Sequence, residues 1–572
     1  MTRLFDEHIL RSVKYLNGAW KFVTDPKNIG EEKLYFKSLD GGETVTVPSV
    51  WNTQSGLLKY EGVAWYEKTF YTDGGCLRFN FGAVMTYAKV WLDGNLIGSH
   101  YGGFSQFDLI VSNVEKGYHI LTVRVDNSFD GQSIPQKKVD WYHYGGIIRD
   151  VTVETLVGIS TLFNRLEYEL SDDMTSVKGR FVLDMYNAED GVSTTTLSVK
   201  IGNTTLFSDK ISLDGREKRE IILPEFTLDD IKLWDIGSPN LYDIIITTDT
   251  DDLLDKVGFR KICVEDGKIK LNGRAVEIRG VNRHEEHPDW GFAFPQGLMK
   301  KDLDIAVSDL GCNAIRGSHY PNSQEFVDML DERGILFWSE IPMWGWGFSQ
   351  SALADPVVID RGLEMHREMV KYYYNHPCII FWGMHNEILT ATEEARFLSE
   401  KYYNFLKENG GNRLVTFATD KPKDDICLEY CDVISINQYF GWYGGGFGDW
   451  DKFIKSFRER REALGYSHKP VIMSEFGGAA LYGYHTFDDV HWTEEYQANM
   501  LEYAIEHFHN DPMFVGFFIW QFCDMRTCLE AGINRARGFN NKGILNEYRK
   551  PKAAYFKVKE LYHKYEKEEI DT

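Results

Sequence analysis

The stretch Cys378-Ile379-Ile380-Phe381-Trp382-Gly383-Met384-His385-Asn386-Glu387 decides the fold. An apolar run stops abruptly at three polar residues. That pattern belongs to a strand buried on both faces whose carboxyl end opens into a polar pocket. A second stretch repeats it: Pro470-Val471-Ile472-Met473-Ser474-Glu475-Phe476-Gly477-Gly478. Again an apolar strand delivers one glutamate. Two carboxylates at the tips of two buried strands mark a candidate active site.

Such strands recur from about residue 263 onward, at 275–282, 312–319, 335–342, 378–387, 414–420, 432–440, 469–477 and 514–522. Helical periodicity fills the gaps at 298–310, 324–333, 357–374, 393–409 and 493–509, and follows the last strand at 552–565. Eight strand–helix units predict a C-terminal (β/α)8 TIM barrel over 263–572. An open doubly wound sheet would carry a glycine-rich phosphate turn after its first strand, and Gly280-Val281-Asn282-Arg283 lacks that spacing.

Upstream the rhythm is different. Short alternating runs separated by Asp73-Gly74-Gly75 and Asp93-Gly94-Asn95, the latter a hairpin signal, predict a jelly-roll β-sandwich over 1–155. Shorter strands over 156–262 suit an immunoglobulin-like β-sandwich, read as a spacer without chemistry of its own.

Composition narrows the partners. A formal net charge of −23 over 572 residues argues against nucleic acid or an anionic membrane. No apolar window of membrane-spanning length and no signal-peptide core appear, and the eight scattered cysteines read as free thiols, so a cytoplasmic location is expected. Aromatic residues make up 14% of the chain, which suits either sugar-binding faces or a large subunit interface.

In a barrel the carboxyl ends of the strands converge on one face. Those ends carry Asn282, Arg283 and His284; Ser318 and His319; Glu340; Asn386 and Glu387; Asn437 and Tyr439; Glu475; and Trp520. Glu387 and Glu475, on strands four and seven, can flank one scissile bond, as glycoside hydrolysis requires. One carboxyl protonates the leaving oxygen and the other acts at the anomeric carbon. Their separation decides between retention and inversion of configuration, and sequence does not give it. Glu340 and His319 could ligate a cation but have no metal-site spacing, so neither a metal nor an organic cofactor is expected.

Gly280-Val281-Asn282-Arg283-His284-Glu285, Ser318-His319-Tyr320-Pro321, Asn386-Glu387 and Ser474-Glu475-Phe476-Gly477 resemble glycoside hydrolase family 2 across nearly the whole chain. The resemblance implies the three domains in the order read above. It also implies a retaining mechanism, with Glu387 as acid/base beside Asn386 and Glu475 as nucleophile. Within the family, three stretches are similar to bacterial β-glucuronidases. Asn437-Gln438-Tyr439-Phe440-Gly441-Trp442-Tyr443 implies that Tyr439 and Tyr443 line the sugar. Asn540-Asn541-Lys542-Gly543 implies that Asn540 and Lys542 hold the sugar carboxylate. Asp140-Trp141-Tyr142-His143-Tyr144-Gly145-Gly146-Ile147 implies that Asp140 reaches from the first domain to a sugar hydroxyl.

His284, Trp520 and Arg535 complete the implied binding set, although the loop carrying Arg535 is one residue longer than in those relatives. The chemistry agrees, because a uronic acid carries a carboxylate that a fixed cation and an amide can hold. The segment after Ser339-Glu340-Ile341-Pro342-Met343-Trp344-Gly345-Trp346-Gly347 lacks the long loop that covers the aglycone in some β-glucuronidases, so an open site is expected.

The leading reading is therefore an exo-acting β-glucuronidase of small glucuronide conjugates or glucuronate-terminated oligosaccharides. The alternatives are a β-galacturonidase or β-galactosidase of the same fold, or an inactive carbohydrate-binding protein. A homo-oligomer, tetramer or dimer, is expected from the resemblance.

Overall fold

The computed structural model describes residues 3–532 and 535–571. Eight parallel strands close a barrel: β1 (Ile278–Asn282), β2 (Ala314–Gly317), β3 (Leu336–Glu340), β4 (Ile379–Asn386), β5 (Leu414–Thr419), β6 (Ile434–Asn437), β7 (Val471–Phe476) and β8 (Phe514–Ile519). β8 returns to β1, with Ile278 opposite Gly516. All residues of the eight strands are buried, which is why they read as continuous apolar runs rather than alternating ones.

The surrounding helices begin where side chains cap them. Ser323, Thr392 and Thr493 each accept a backbone N–H from the first turn, and Asp355 does so ahead of Pro356.

Most strands are shorter than the sequence expectation, Ile434–Asn437 against 432–440 for example, and two boundaries differ for a local reason. The first strand begins at Ile278, because Asn272-Gly273 turns the chain into an antiparallel hairpin, Lys268–Leu271 with Arg274–Ala275. Both turn residues have positive φ, 51° and 80°, as an Asn-Gly turn requires. The helix expected over 298–310 is α-helical at Gln296–Leu303 and continues as a π-helical segment, Asp304–Asp309.

The N-terminal region is two packed antiparallel sheets, one of four strands and one of six. The Asp93-Gly94 hairpin forms between Tyr87–Leu92 and Asn95–Tyr101, both turn residues again at positive φ. A second pair of four-stranded sheets occupies the middle of the chain. Buried ion pairs tie the units together. Arg3 forks Asp328 of the barrel and reaches Asp255 of the middle sandwich at 3.0 Å. Arg11 bridges Asp251 of the middle sandwich and Glu154 of the first, each at 2.8 Å. No helix among the described residues is long and apolar enough to cross a membrane.

Candidate active site at the barrel mouth

The carboxyl ends of the strands bring Glu387 and Glu475 to one network. Its centre is Arg316, a fully buried guanidinium inside β2. Arg316 forks Glu340 through two 3.0 Å hydrogen bonds, donates to Glu475 at 2.9 Å and donates to the Asn386 side-chain oxygen at 2.8 Å. Asn437 at the end of β6 donates to Glu387 at 2.8 Å and is itself fixed by Ser474, 2.7 Å away. Tyr439 donates its hydroxyl to the other oxygen of Glu475 at 2.7 Å. Glu387 follows β4 at φ 52°, a left-handed conformation that costs a side-chain-bearing residue about 1–3 kcal/mol and is held only where the surroundings impose it. Gly345 packs against it so closely that an added Cβ would lie 2.5 Å from the Glu387 carbonyl oxygen.

The two carboxyl groups differ electrostatically. Burial pushes Glu475 up to about 7, opposed by the Arg316 charge and the Tyr439 hydrogen bond. Glu387 is driven well above the usual carboxylate range by burial and then by repulsion from Glu475 and Asp420. Arg316 and Tyr439 thus favour the ionised form of Glu475, whereas the neighbouring carboxylates disfavour that of Glu387.

A clamp flanks this pair. Lys542 is buried, and its ammonium donates to the Tyr443 hydroxyl at 2.7 Å while facing the rings of Tyr443, Tyr439 and Trp442 at 4.7, 5.5 and 5.9 Å. No carboxylate of the described residues forms an ion pair with it. Burial and the nearby Arg535 bring Lys542 down to about 7. Asp140, from the first domain, accepts from both ends of the Arg535 fork at 3.1 and 2.7 Å and from Asn540 at 2.6 Å. Arg535 also donates to the Tyr443 hydroxyl at 3.2 Å.

The opposite wall is aromatic. Trp520 stacks on His319 at 5.0 Å and meets His284 edge-on at 5.5 Å. Trp141 lies 5.7 Å from His284 and 5.8 Å from Trp344. Several buried polar atoms here make no hydrogen bond within the protein: Asn386 Nδ2, His284 Nε2, Trp141 Nε1 and His319 Nε2, the last lying 3.8 Å from Glu475. Unpaired groups of this kind are costly unless a ligand satisfies them, so their clustering points to a polar, hydroxyl-rich ligand.

The eleven residues expected to be catalytic or substrate-binding thus fall into three neighbouring groups. Glu387, Asn386, Glu475 and Tyr439 share the Arg316–Asn437 network. Asp140, Arg535, Tyr443, Asn540 and Lys542 form the clamp, and His284 and Trp520 stand on the aromatic wall. Arg316 and Trp141 were missed. A lone arginine in Ala314-Ile315-Arg316-Gly317 was the available signal for the first. Glu340 and His319, weighed as metal ligands, are instead bonded to each other at 2.7 Å and to Arg316. The one cluster of ligand-type side chains among the described residues, Asp328, Asp331 and His376, lies at the domain junction, where Arg3 occupies Asp328.

Comparison with known proteins agrees with this architecture. The family model described as "Glycosyl hydrolases family 2, TIM barrel domain" matches residues 262–567, the family's sugar binding domain matches 13–156, and its remaining model matches 164–260. The β-galacturonidase of Eisenbergiella tayi bound to galacturonate superposes with a TM-score of 0.92 at 33% identity, over 99% of both chains. The β-glucuronidase of Ruminococcus gnavus superposes with a TM-score of 0.86 at 26% identity, over 98% of this chain and 99% of that one. A β-glucuronidase of Streptococcus agalactiae is 26% identical over 95% of this chain and 94% of its own. The chain belongs to glycosyl hydrolase family 2 and is a glycoside hydrolase.

Proposed function

We propose that this family 2 hydrolase is an exo-acting β-uronidase that releases a terminal hexuronic acid with retention of configuration. Glu475 attacks the anomeric carbon, and Glu387 protonates the leaving oxygen. Water then attacks the glycosyl-enzyme ester, with Glu387 now accepting its proton. The contacts support this division of labour, because Arg316 and Tyr439 donate to Glu475 and so favour it as a carboxylate. The observation that carries the substrate class is Lys542. An ammonium buried among aromatic rings without a carboxylate partner costs folding energy that a neutral sugar would not return. A uronate carboxylate supplies the missing charge, with Asn540 beside it. The shortness of the segment between β3 and the helix Gln350–Leu353 supports reading the aglycone side as open to varied leaving groups.

The C4 epimer is the finer question. The higher identity and TM-score to the galacturonate-bound enzyme favour β-D-galacturonides as the better substrate, with β-D-glucuronides second. Matched rates on the 4-nitrophenyl β-D-galacturonide, glucuronide and galactoside test both levels. Both uronides are expected to exceed the galactoside by about 100-fold or more, since a site built to bond a group rejects ligands lacking it. A galactoside that outruns both would overturn the carboxylate assignment.

The Tyr439 hydrogen bond gives a pH test. It stabilises ionised Glu475, so Tyr439→Phe raises the pKa of Glu475. The acid limb of kcat/KM then moves to higher pH, and at pH 6 the variant is slower by about 10-fold or more. A pH profile of unchanged shape would remove Tyr439 from this role.

A further inference from the structure

Beneath the clamp lies a second buried ion pair that the proposed mechanism does not use. Lys552 and Asp524 are both fully or nearly fully buried. The Lys552 ammonium donates to three acceptors: the Ala480 carbonyl at 2.7 Å, an Asp524 carboxylate oxygen at 2.8 Å and the Asn541 carbonyl at 3.0 Å. Its three protons are therefore fully used. The same Asp524 oxygen accepts the Gly543 N–H at 3.0 Å.

These acceptors belong to three different pieces of the site. Ala480 lies five residues after Glu475, on the loop leaving β7. Asp524 lies four residues after Trp520, on the chain leaving β8. Asn541 and Gly543 flank Lys542 directly. The loop has no room to drift toward this pair, because a Cβ at Gly543 would lie 2.2 Å from the Asp524 nitrogen. Two further bonds close the arrangement. Ala480 N donates to the Asn541 carbonyl at 3.0 Å, and Gln521 N donates to the Lys542 carbonyl at 3.0 Å.

We infer that Lys552, with Asp524, is the positioning group of the uronate clamp: it fixes the backbone on both sides of Lys542 against the loops that follow Glu475 and Trp520. The inference rests on the uronidase reading above. Lys552 touches no substrate in this account and acts through the placement of Asn540 and Lys542. Burial lowers the Lys552 pKa and raises Asp524 to about 7, so each carries an electrostatic cost that its partner does most to offset. An exposed loop would have no use for such a pair. A misplacement of about 1 Å in a binding group can cost about 100-fold in rate.

The test compares wild type, Lys552→Met, Asp524→Asn and Lys542→Met on a 4-nitrophenyl β-D-uronide and on the matching neutral glycoside. Lys552→Met removes all three bonds at similar length. Asp524→Asn keeps the shape and removes the charge, so it serves if the first variant fails to fold. The neutral glycoside reports on Glu387, Glu475 and the fold, because it has no carboxylate for Asn540 and Lys542 to hold. Lys552→Met is expected to lower the uronide-to-neutral ratio of kcat/KM by about 10-fold or more, in the same direction as Lys542→Met, mostly through KM. Asp524→Asn is expected to follow with a smaller drop.

If both substrates fall in proportion, or the ratio is unchanged, the pair is structural support only and the inference fails. A wild type with no preference for the uronide instead overturns the uronidase reading from which the inference starts. The wild-type ratio thus separates the two failures.

Discussion

Glu475→Ala is expected to lower kcat on an aryl β-uronide by about 10⁴-fold or more. Removing the attacking atom removes the covalent route altogether, and single losses of this kind can approach the effect of losing the whole catalytic unit. The fold should survive. Arg316 loses one of its carboxylate contacts but keeps the Glu340 fork and the Asn386 oxygen. Circular dichroism of the variant would therefore match wild type while turnover disappears. Glu387→Ala is expected to be milder, at about 10²–10⁴-fold, the range for loss of one proton-transfer group. It should spare the first step most when the leaving group is a weakly basic phenolate that needs no proton. Near-normal turnover by either variant, measured by single-turnover kinetics, would sink the assignment.

Lys542→Met is expected to cut kcat/KM for the uronide by about 10²–10³-fold and to leave the neutral glycoside nearly unchanged. A hydrogen bond to a charged group contributes about 1.5–3 kcal/mol, and stranding the sugar carboxylate in a buried site adds to the loss. The wild-type enzyme carries its own control. Lys542 titrates at about 7 in the empty site, so the cation is present below that pH and is lost as pH rises through it. KM for the uronide should climb on the alkaline side in wild type, and that climb should vanish in Lys542→Met.

Stability should move the other way. The folded-state pKa lies below the unfolded value, so between about 7 and 10.4 the unfolded chain binds more protons and stability rises with pH. Below pH 7 the buried charge is a full cost, and Lys542→Met is expected to raise Tm there. A variant that loses uronide activity yet melts earlier at pH 6 would contradict this account.

Much of the architecture was legible because barrel strands buried on both faces leave an uninterrupted apolar trace. Ile379–Phe381 and Val471–Met473 could be read without knowing their neighbours. The polar residues that break such runs at their carboxyl ends, Asn386, Glu387 and Glu475, were legible for the same reason. Arg316 was harder. It sits within its strand rather than at the tip, and four of its partners, Glu340, Asn386, Glu475 and Asn282, come from four other strands. The Asp140–Arg535 pair joins residues 395 positions apart in the chain, and no periodicity announces such a contact. The turn at Asn272-Gly273 was a missed local signal, overridden by the apolar residues on either side of it.

Asp140 and Trp141 come from the first domain, yet they sit against Arg535 and His284 of the barrel. In the proposed reading, the groups that break the bond lie on the barrel, and part of the surface that meets the sugar lies on the first sandwich. Substitutions in the sandwich can retune which sugar is accepted while the acid and nucleophile stay untouched. The converse also holds: a barrel excised from this chain, or grafted behind a foreign sandwich, would keep its carboxylates and lose part of its ability to discriminate.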